Sequence, residues 1–314
     1  MFNLQVFLLT LQKVAFLLVV IFIGYFLRKT GKVDRKAAAT LSFLSTSIFS
    51  PAYVLKFLPD QFTVENLKSN LWILILSICL VFFTVIAARV LAKLFGKDDF
   101  EFKSLCYVFA FANTGYFGYP VIEGVFGEAV LAQFMIFCIP LNMTIFSYGY
   151  GLFLKTKKKF DFKNTFFSPV MLSYYCGIFM GLTGFRFPAF LSDAVEATGA
   201  CMSPACMLSI GIVLGSFGIK ELLSGIRPYV YGLIRLILLP ALFGIILFFI
   251  GIREVYFSIA MASLSLPVGL NVVVFPESFG MDSSKNAKIC FVSILMSMIT
   301  LPFVFALIQT IARM

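Results

Sequence analysis

A helix needs roughly 20 mostly apolar residues to cross about 30 Å of hydrocarbon. This chain leaves such stretches free of charge again and again. Charge-free runs lie at 37–55, 69–88, 104–122, 129–154, 164–185, 197–219, 236–252, 255–276 and 289–312. The segment 1–27 holds one charge, Lys13, and the run 236–252 reaches back to about 228 if Arg235 is admitted. That makes ten candidate spans. A membrane barrel would alternate polar and apolar residues over roughly 10-residue strands, and Leu71-Trp72-Ile73-Leu74-Ile75-Leu76 does not alternate. Composition agrees. The chain is 61% hydrophobic and 13% charged, against about 45–50% and about 25% for a soluble domain. A soluble globule, a disordered chain and a disulfide-rich secreted domain are excluded. The fold class expected is an all-α polytopic membrane protein.

The charges also orient the spans. Cytoplasmic loops carry an excess of Lys and Arg. Loops 1–2, 3–4, 5–6, 7–8 and 9–10 hold 18 basic residues, and the opposite side holds 5. The odd loops are therefore expected in the cytoplasm, with both termini outside a cell membrane. This use of the +10 net charge removes nucleic acid as a partner. The run Lys155–Lys159 is read as topogenic, with anionic lipid heads as the alternative. The first basic residue is Lys13, and no small-residue cleavage site follows its apolar run. The first segment is therefore expected to stay as a helix rather than to leave as a signal peptide.

Chemistry-bearing motifs are scarce. The chain has no His and no G-x-S-x-G or Walker A motif. Its seven cysteines all fall in apolar spans, and none forms C-x-x-C. They read as small buried apolar residues. No enzyme activity, no metal and no cofactor is expected. Asn142-Met143-Thr144 matches a glycosylation triplet, but it lies inside a span and carries no meaning on that reading.

Two short echoes share one offset. Ser50-Pro51-Ala52 matches Ser203-Pro204-Ala205, and Phe126-Gly127 matches Phe279-Gly280, each 153 residues on. Five spans per half would make the second copy inverted, the arrangement that secondary transporters use around discontinuous helices at mid-membrane. Two spans carry helix breakers in corresponding places. Span 4 contains Asn113-Thr114-Gly115-Tyr116-Phe117-Gly118-Tyr119-Pro120, and span 9 contains Ser263-Leu264-Ser265-Leu266-Pro267-Val268-Gly269-Leu270-Asn271. An ordinary Pro kink is the plain alternative. Paired breaks with an Asn in each favour a site. There, freed N–H groups and the positive ends of two half-helices meet a ligand. Asn113, Thr114, Gly115, Gly118, Pro120, Ser265, Pro267 and Asn271 are the candidate substrate-binding residues. That set suits a small organic carboxylate.

The same residues resemble a known family. Asn113-Thr114-Gly115-x-x-Gly118-x-Pro120 followed by Phe126-Gly127-Glu128 resembles the fourth-helix signature of the auxin efflux carrier family of permeases. Pro267-x-x-x-Asn271 with Glu277 and Phe279-Gly280 is similar to its ninth-helix signature. Gly24-Tyr25-x-Leu27-Arg28-Lys29 and Arg235-Leu236-x-x-Leu239-Pro240 are similar to its first and eighth helices. The chain departs from the pattern at Glu123, and Ser47–Ala52 match loosely.

The resemblance implies ten helices in a fold like the bile-acid sodium symporters. The repeats would be 1–154 and 168–314, joined by a basic loop at 155–167. Spans 1, 2, 6 and 7 would form a scaffold, also the dimer face. Spans 3–5 and 8–10 would form a transport domain that moves elevator-fashion around crossed helices 4 and 9. Plant relatives export indole-acetate, and bacterial relatives are linked to malate, lactate or malonate. The short loop 5–6 resembles the compact bacterial form.

Individual charges stay open. Arg235 is a candidate anion contact, or pairs within the protein, or snorkels to the interface. Lys13 is weighed the same way. Glu277 is a candidate for a coupling proton or a plain carboxylate at the cytoplasmic end, and Glu123 for an outer gate. Gly177-x-x-x-Gly181 and Gly211-x-x-x-Gly215 allow close helix approach, within the scaffold or between copies. The expected function is a secondary-active permease for a small organic anion in the lipid bilayer. A sodium-coupled organic anion symporter is the alternative, and a receptor would need a domain or loop the sequence lacks.

Overall fold

The computed structural model describes residues 3–154 and 166–312, so the lysine run at 155–159 and most of the joining loop lie outside the described residues. Within them the chain is helical, and its sole β feature is an isolated bridge. The helices are α1 (Leu4–Lys29), α2 (Arg35–Leu44), α3 (Ser50–Gln61), α4 (Leu67–Phe95), α5 (Asp99–Ala110), α6 (Tyr119–Phe126), α7 (Glu128–Thr144) and α8 (Pro169–Thr183). They continue as α9 (Ala189–Ala200), α10 (Met202–Leu214), α11 (Ile219–Leu222), α12 (Arg227–Leu233), α13 (Leu239–Ile250), α14 (Glu254–Ser265), α15 (Asn271–Ser278) and α16 (Ser284–Ala312). Four π turns, Ser45–Phe49, Thr114–Gly118, Ile145–Gly149 and Ile234–Leu238, interrupt the ladders.

Seven helical stretches are long and apolar enough to cross a membrane: 4–29, 35–61, 67–95, 128–149, 189–214, 227–250 and 284–310. The shorter α8 is also apolar. The two remaining charge-free runs are not continuous helices. The chain from 99 to 126 breaks between α5 and the π turn before α6, and the chain from 254 to 278 breaks between α14 and α15. Local chemistry sets the ends. Asn3, Asp34, Asp98 and Ser168 each accept a hydrogen bond from the amide three residues on, capping α1, α2, α5 and α8; such caps satisfy otherwise orphaned donors.

The helices are apolar on both faces, as expected for a bundle in lipid. In α4, Ile73, Ser77, Leu80, Thr84, Ala88 and Ala92 are buried at three- and four-residue spacing, while Phe82, Ile86, Val90 and Leu94 are exposed on the other side. Small residues let neighbouring backbones touch. A Cβ on Gly24 would overlap the Leu208 carbonyl, and one on Gly211 the Ile21 carbonyl, so α1 and α10 meet backbone to backbone. Gly177 and Gly181 seat α8 on Leu58, Pro59 and Phe62. Both glycine pairs singled out in the sequence are thus used inside the chain. α1 packs on α10, α3 on α8 and α9, and α4 on α5 and α7.

The sharp corner after α6 rests on Gly127, at φ 87° and ψ 172°. That region is essentially closed to side-chain-bearing residues. Gly127→Ala is expected to lower stability by about 1–3 kcal/mol, read from thermal melts of the purified protein in detergent, although no neighbouring atom lies within 4 Å of its Cβ position.

Candidate functional site

The two breaks cross. The Asn113 amide donates to the Pro267 carbonyl at 2.8 Å, and the Gly269 amide donates to the Phe111 carbonyl at 3.3 Å. Ala112 and Val268 lie opposite each other in this antiparallel bridge. Two chain segments that left their helices at mid-span therefore satisfy each other's freed backbone groups, as polar backbone in a membrane requires. Pro267, which cannot continue a donor ladder, supplies the acceptor. The Ser293 hydroxyl of α16 accepts from the Val268 amide at 3.1 Å, and Asn286 donates to the Val272 carbonyl at 2.8 Å. These contacts pin the second break to α16.

A cavity of about 70 Å3 opens beside the crossing. Asn113, Thr114, Gly115 and Asn271 line it, together with Ala112, Gly269 and Leu270. The π turn 45–49 and α3 contribute Thr46, Ser50 and Val54 on the facing wall. No lining residue carries a formal charge. Asn113 is 4% exposed and its Nδ2 has no hydrogen-bond partner. A buried unsatisfied donor costs about 1–3 kcal/mol, and this one stands at the cavity wall. The first amides of the π turn 114–118 precede any acceptor of their own helix, and Gly118 is the residue whose amide closes back onto the Asn113 carbonyl, at 2.9 Å. Beside Gly115 no atom lies within 4 Å of a Cβ position.

The sequence candidates divide. Asn113, Thr114, Gly115 and Asn271 reach the cavity. Gly118 packs against Leu266 instead, Ser265 donates back to the Met261 carbonyl at 2.8 Å, and Pro267 acts through its carbonyl. Pro120 faces a different space, a cleft of about 490 Å3 shared with Lys13, Glu123 and Glu128. Arg235 is buried and donates to the Phe109 carbonyl at 3.3 Å, away from the cavity wall. Glu277 pairs with Arg35 and accepts from Ser283 in a separate cleft of about 650 Å3. The Tyr53 hydroxyl donates to Glu123 at 2.5 Å and ties α3 to α6 on the other side.

Sequence reading missed the aromatic and amide wall. Tyr107, Tyr116, Tyr119 and Asn142 all line the cavity. Tyr119 and Tyr174 share a 2.7 Å hydroxyl contact. Asn142 is legible as an amide inside an apolar span, which is costly without a partner.

Known proteins resemble the chain along its whole length. The family profile described as membrane transport protein matches residues 9–305. An uncharacterized transporter of Methanocaldococcus jannaschii is 23% identical over 297 residues, covering 92% of this chain and 95% of that protein. An uncharacterized transporter of Methanothermobacter thermautotrophicus is 24% identical over 308 residues, covering 95% and 98%.

Proposed function

This chain belongs to the membrane transport protein family, that of the auxin efflux carriers, and from that premise we propose that it is a secondary-active permease for a small organic carboxylate, bound at the crossing of the two broken segments. The observation that carries the reading is the unpartnered Asn113 side-chain Nδ2 on a charge-free cavity wall beside the crossing. Asn271 and the open amides of 114–116 complete a set of neutral donors, a set able to hold a carboxylate and release it again. Size supports a compact substrate. One water occupies roughly 10–15 Å3 of such space, so about 70 Å3 suits a handful of heavy atoms.

Ten spans in two inverted repeats are part of this reading, with the broken runs 99–126 and 254–278 counted as spans 4 and 9. Backbone geometry supports the repeat. Gly31 and Gly184, 153 residues apart, have φ of 72° and 73°, and Gly127 and Gly280, again 153 apart, have 87° and 70°. Stretches 35–61 and 189–214 match that offset to within one residue. We take α1–α3 and α8–α10 as the scaffold, through which a homodimer forms, and the rest as the mobile domain. The 18 to 5 charge bias supports a cell-membrane orientation with both termini outside. Glu277, paired with Arg35 across the inner seam, is the carboxylate we place in line for proton coupling.

Uptake into proteoliposomes tests the substrate class. Saturable uptake of labelled lactate or malonate is expected, and no uptake of any small carboxylate would overturn it. The elevator is tested at the outer seam, where Tyr53 and Glu123 touch. A Tyr53→Cys/Glu123→Cys pair is made with exposed Cys79, Cys176 and Cys201 replaced. Cross-linking is expected to stop uptake, and reduction to restore it. Full uptake in the cross-linked protein would rule out movement of α6 against α3.

A further inference from the structure

Arg235 is the charged side chain among the fully buried residues described, at 1% exposure. It sits on the π turn Ile234–Leu238, which packs against α5, α14 and α16. Its Nη1 donates to the Phe109 carbonyl at 3.3 Å, and its Nε has no partner. None of the ion pairs among the described residues involves it. A cation at membrane depth with no counter-ion is expensive and marks function.

Phe109 explains where the charge acts. It lies in the last turn of α5, whose final carbonyls have no helical donors because the chain breaks at 111–113. Phe111 turns its amide back to Tyr107, and Asn113 gives its amide to Pro267. The Phe109 carbonyl is left to Arg235. The second break has no such cation: Ser265 donates to the Met261 carbonyl there.

The field at the crossing follows from a count of ends. Each helix end carries roughly half a charge, positive at the N-terminus and negative at the C-terminus. Four ends meet here: the C-termini of α5 and α14, and the N-termini of the π turn 114–118 and α15. Their sum is about zero. The cavity wall adds no formal charge. The unit charge of Arg235 is what remains.

We propose that Arg235 is a positioning residue that caps the broken end of α5 and supplies the net positive field that makes the neutral cavity prefer anions. This rests on the reading of the cavity as a carboxylate site. The guanidinium lies 3.3 Å from the Phe109 carbonyl, and three residues of chain to Ala112 span at most about 10 Å. One unit charge acting over about 12 Å at an effective dielectric of about 20 changes affinity about tenfold.

The test compares each acid with its uncharged amide: lactate with lactamide, and malonate with malonamide, by thermal shift and by competition for uptake. Wild type is expected to prefer the acids. Arg235→Gln keeps a donor for Phe109 and removes the charge, so its preference for acid over amide is expected to fall about tenfold while amide binding holds. Arg235→Lys is expected to keep the preference. Hydrogen exchange at 109–113 reads the cap separately, with faster exchange expected in Arg235→Met and near wild-type exchange in Arg235→Gln. An unchanged acid-to-amide ratio in Arg235→Gln overturns the proposal and leaves the carboxylate site standing. A wild type that does not tell acid from amide overturns both.

Discussion

Asn113→Ala is expected to lower carboxylate uptake at least tenfold while leaving the protein at least as stable as wild type. The two halves of that expectation come from one observation. The Asn113 Nδ2 is buried and bonded to nothing in the protein, so deleting it breaks no existing side-chain bond there and removes an unsatisfied buried donor, and stability should hold or rise by up to about 1–3 kcal/mol. A ligand oxygen placed against it would lose a donor in a dry site, which costs about 1.5–3 kcal/mol when the acceptor is charged. Asn271→Ala removes a second polar group from the same wall, and uptake is expected to fall there too. Uptake kinetics beside melting curves separate lost binding from lost fold. Wild-type uptake in Asn113→Ala would remove the crossing as the binding site.

Gly211→Leu is the substitution expected to damage the fold most. The α1–α10 seam is a contact of backbones: a Cβ at Gly211 would overlap the Ile21 carbonyl and crowd the Tyr25 amide and Gly24. None of these atoms can rotate away. Overpacking usually costs about 1–3 kcal/mol and occasionally more; a clash with main chain belongs at the upper end. In lipid the association of helices rests on such close packing rather than on a hydrophobic force. A sharp fall in monodisperse protein after extraction is the expected readout. Gly151→Ala, with open space at its Cβ position, is the control expected to stay within about 0.5 kcal/mol.

Much of the architecture was legible in the sequence because a membrane imposes a simple rule. Charges in hydrocarbon are costly, so the gaps between them mark helices. Helix ends were less legible. The stretch 35–61 runs past Lys56, because Lys56 meets Glu196 at 2.8 Å and lies over the Phe57 ring. A charge that finds a partner can stay in a helix, and a single sequence does not show the partner.

The site followed the same division. Pro267, Gly115, Asn113 and Asn271 announced two breaks, since Pro and Gly disrupt a ladder wherever they stand. They could not announce that the breaks hydrogen-bond each other, that the Asn113 Nδ2 is left without a partner, or that Tyr107, Tyr119 and Asn142 close the wall. Gly118, Ser265 and Pro120 stand in the same motifs and face elsewhere, because a π turn and a half-helix rotate successive residues away from the cavity. By itself the sequence determined that this chain lives in a bilayer, where its charges sit and where its helices fail. The tertiary structure decided which of the residues at those failures share a space. Burial, and the loss of a partner that comes with it, depends on segments about 155 residues apart (Ala112 and Val268), and no local pattern encodes that meeting.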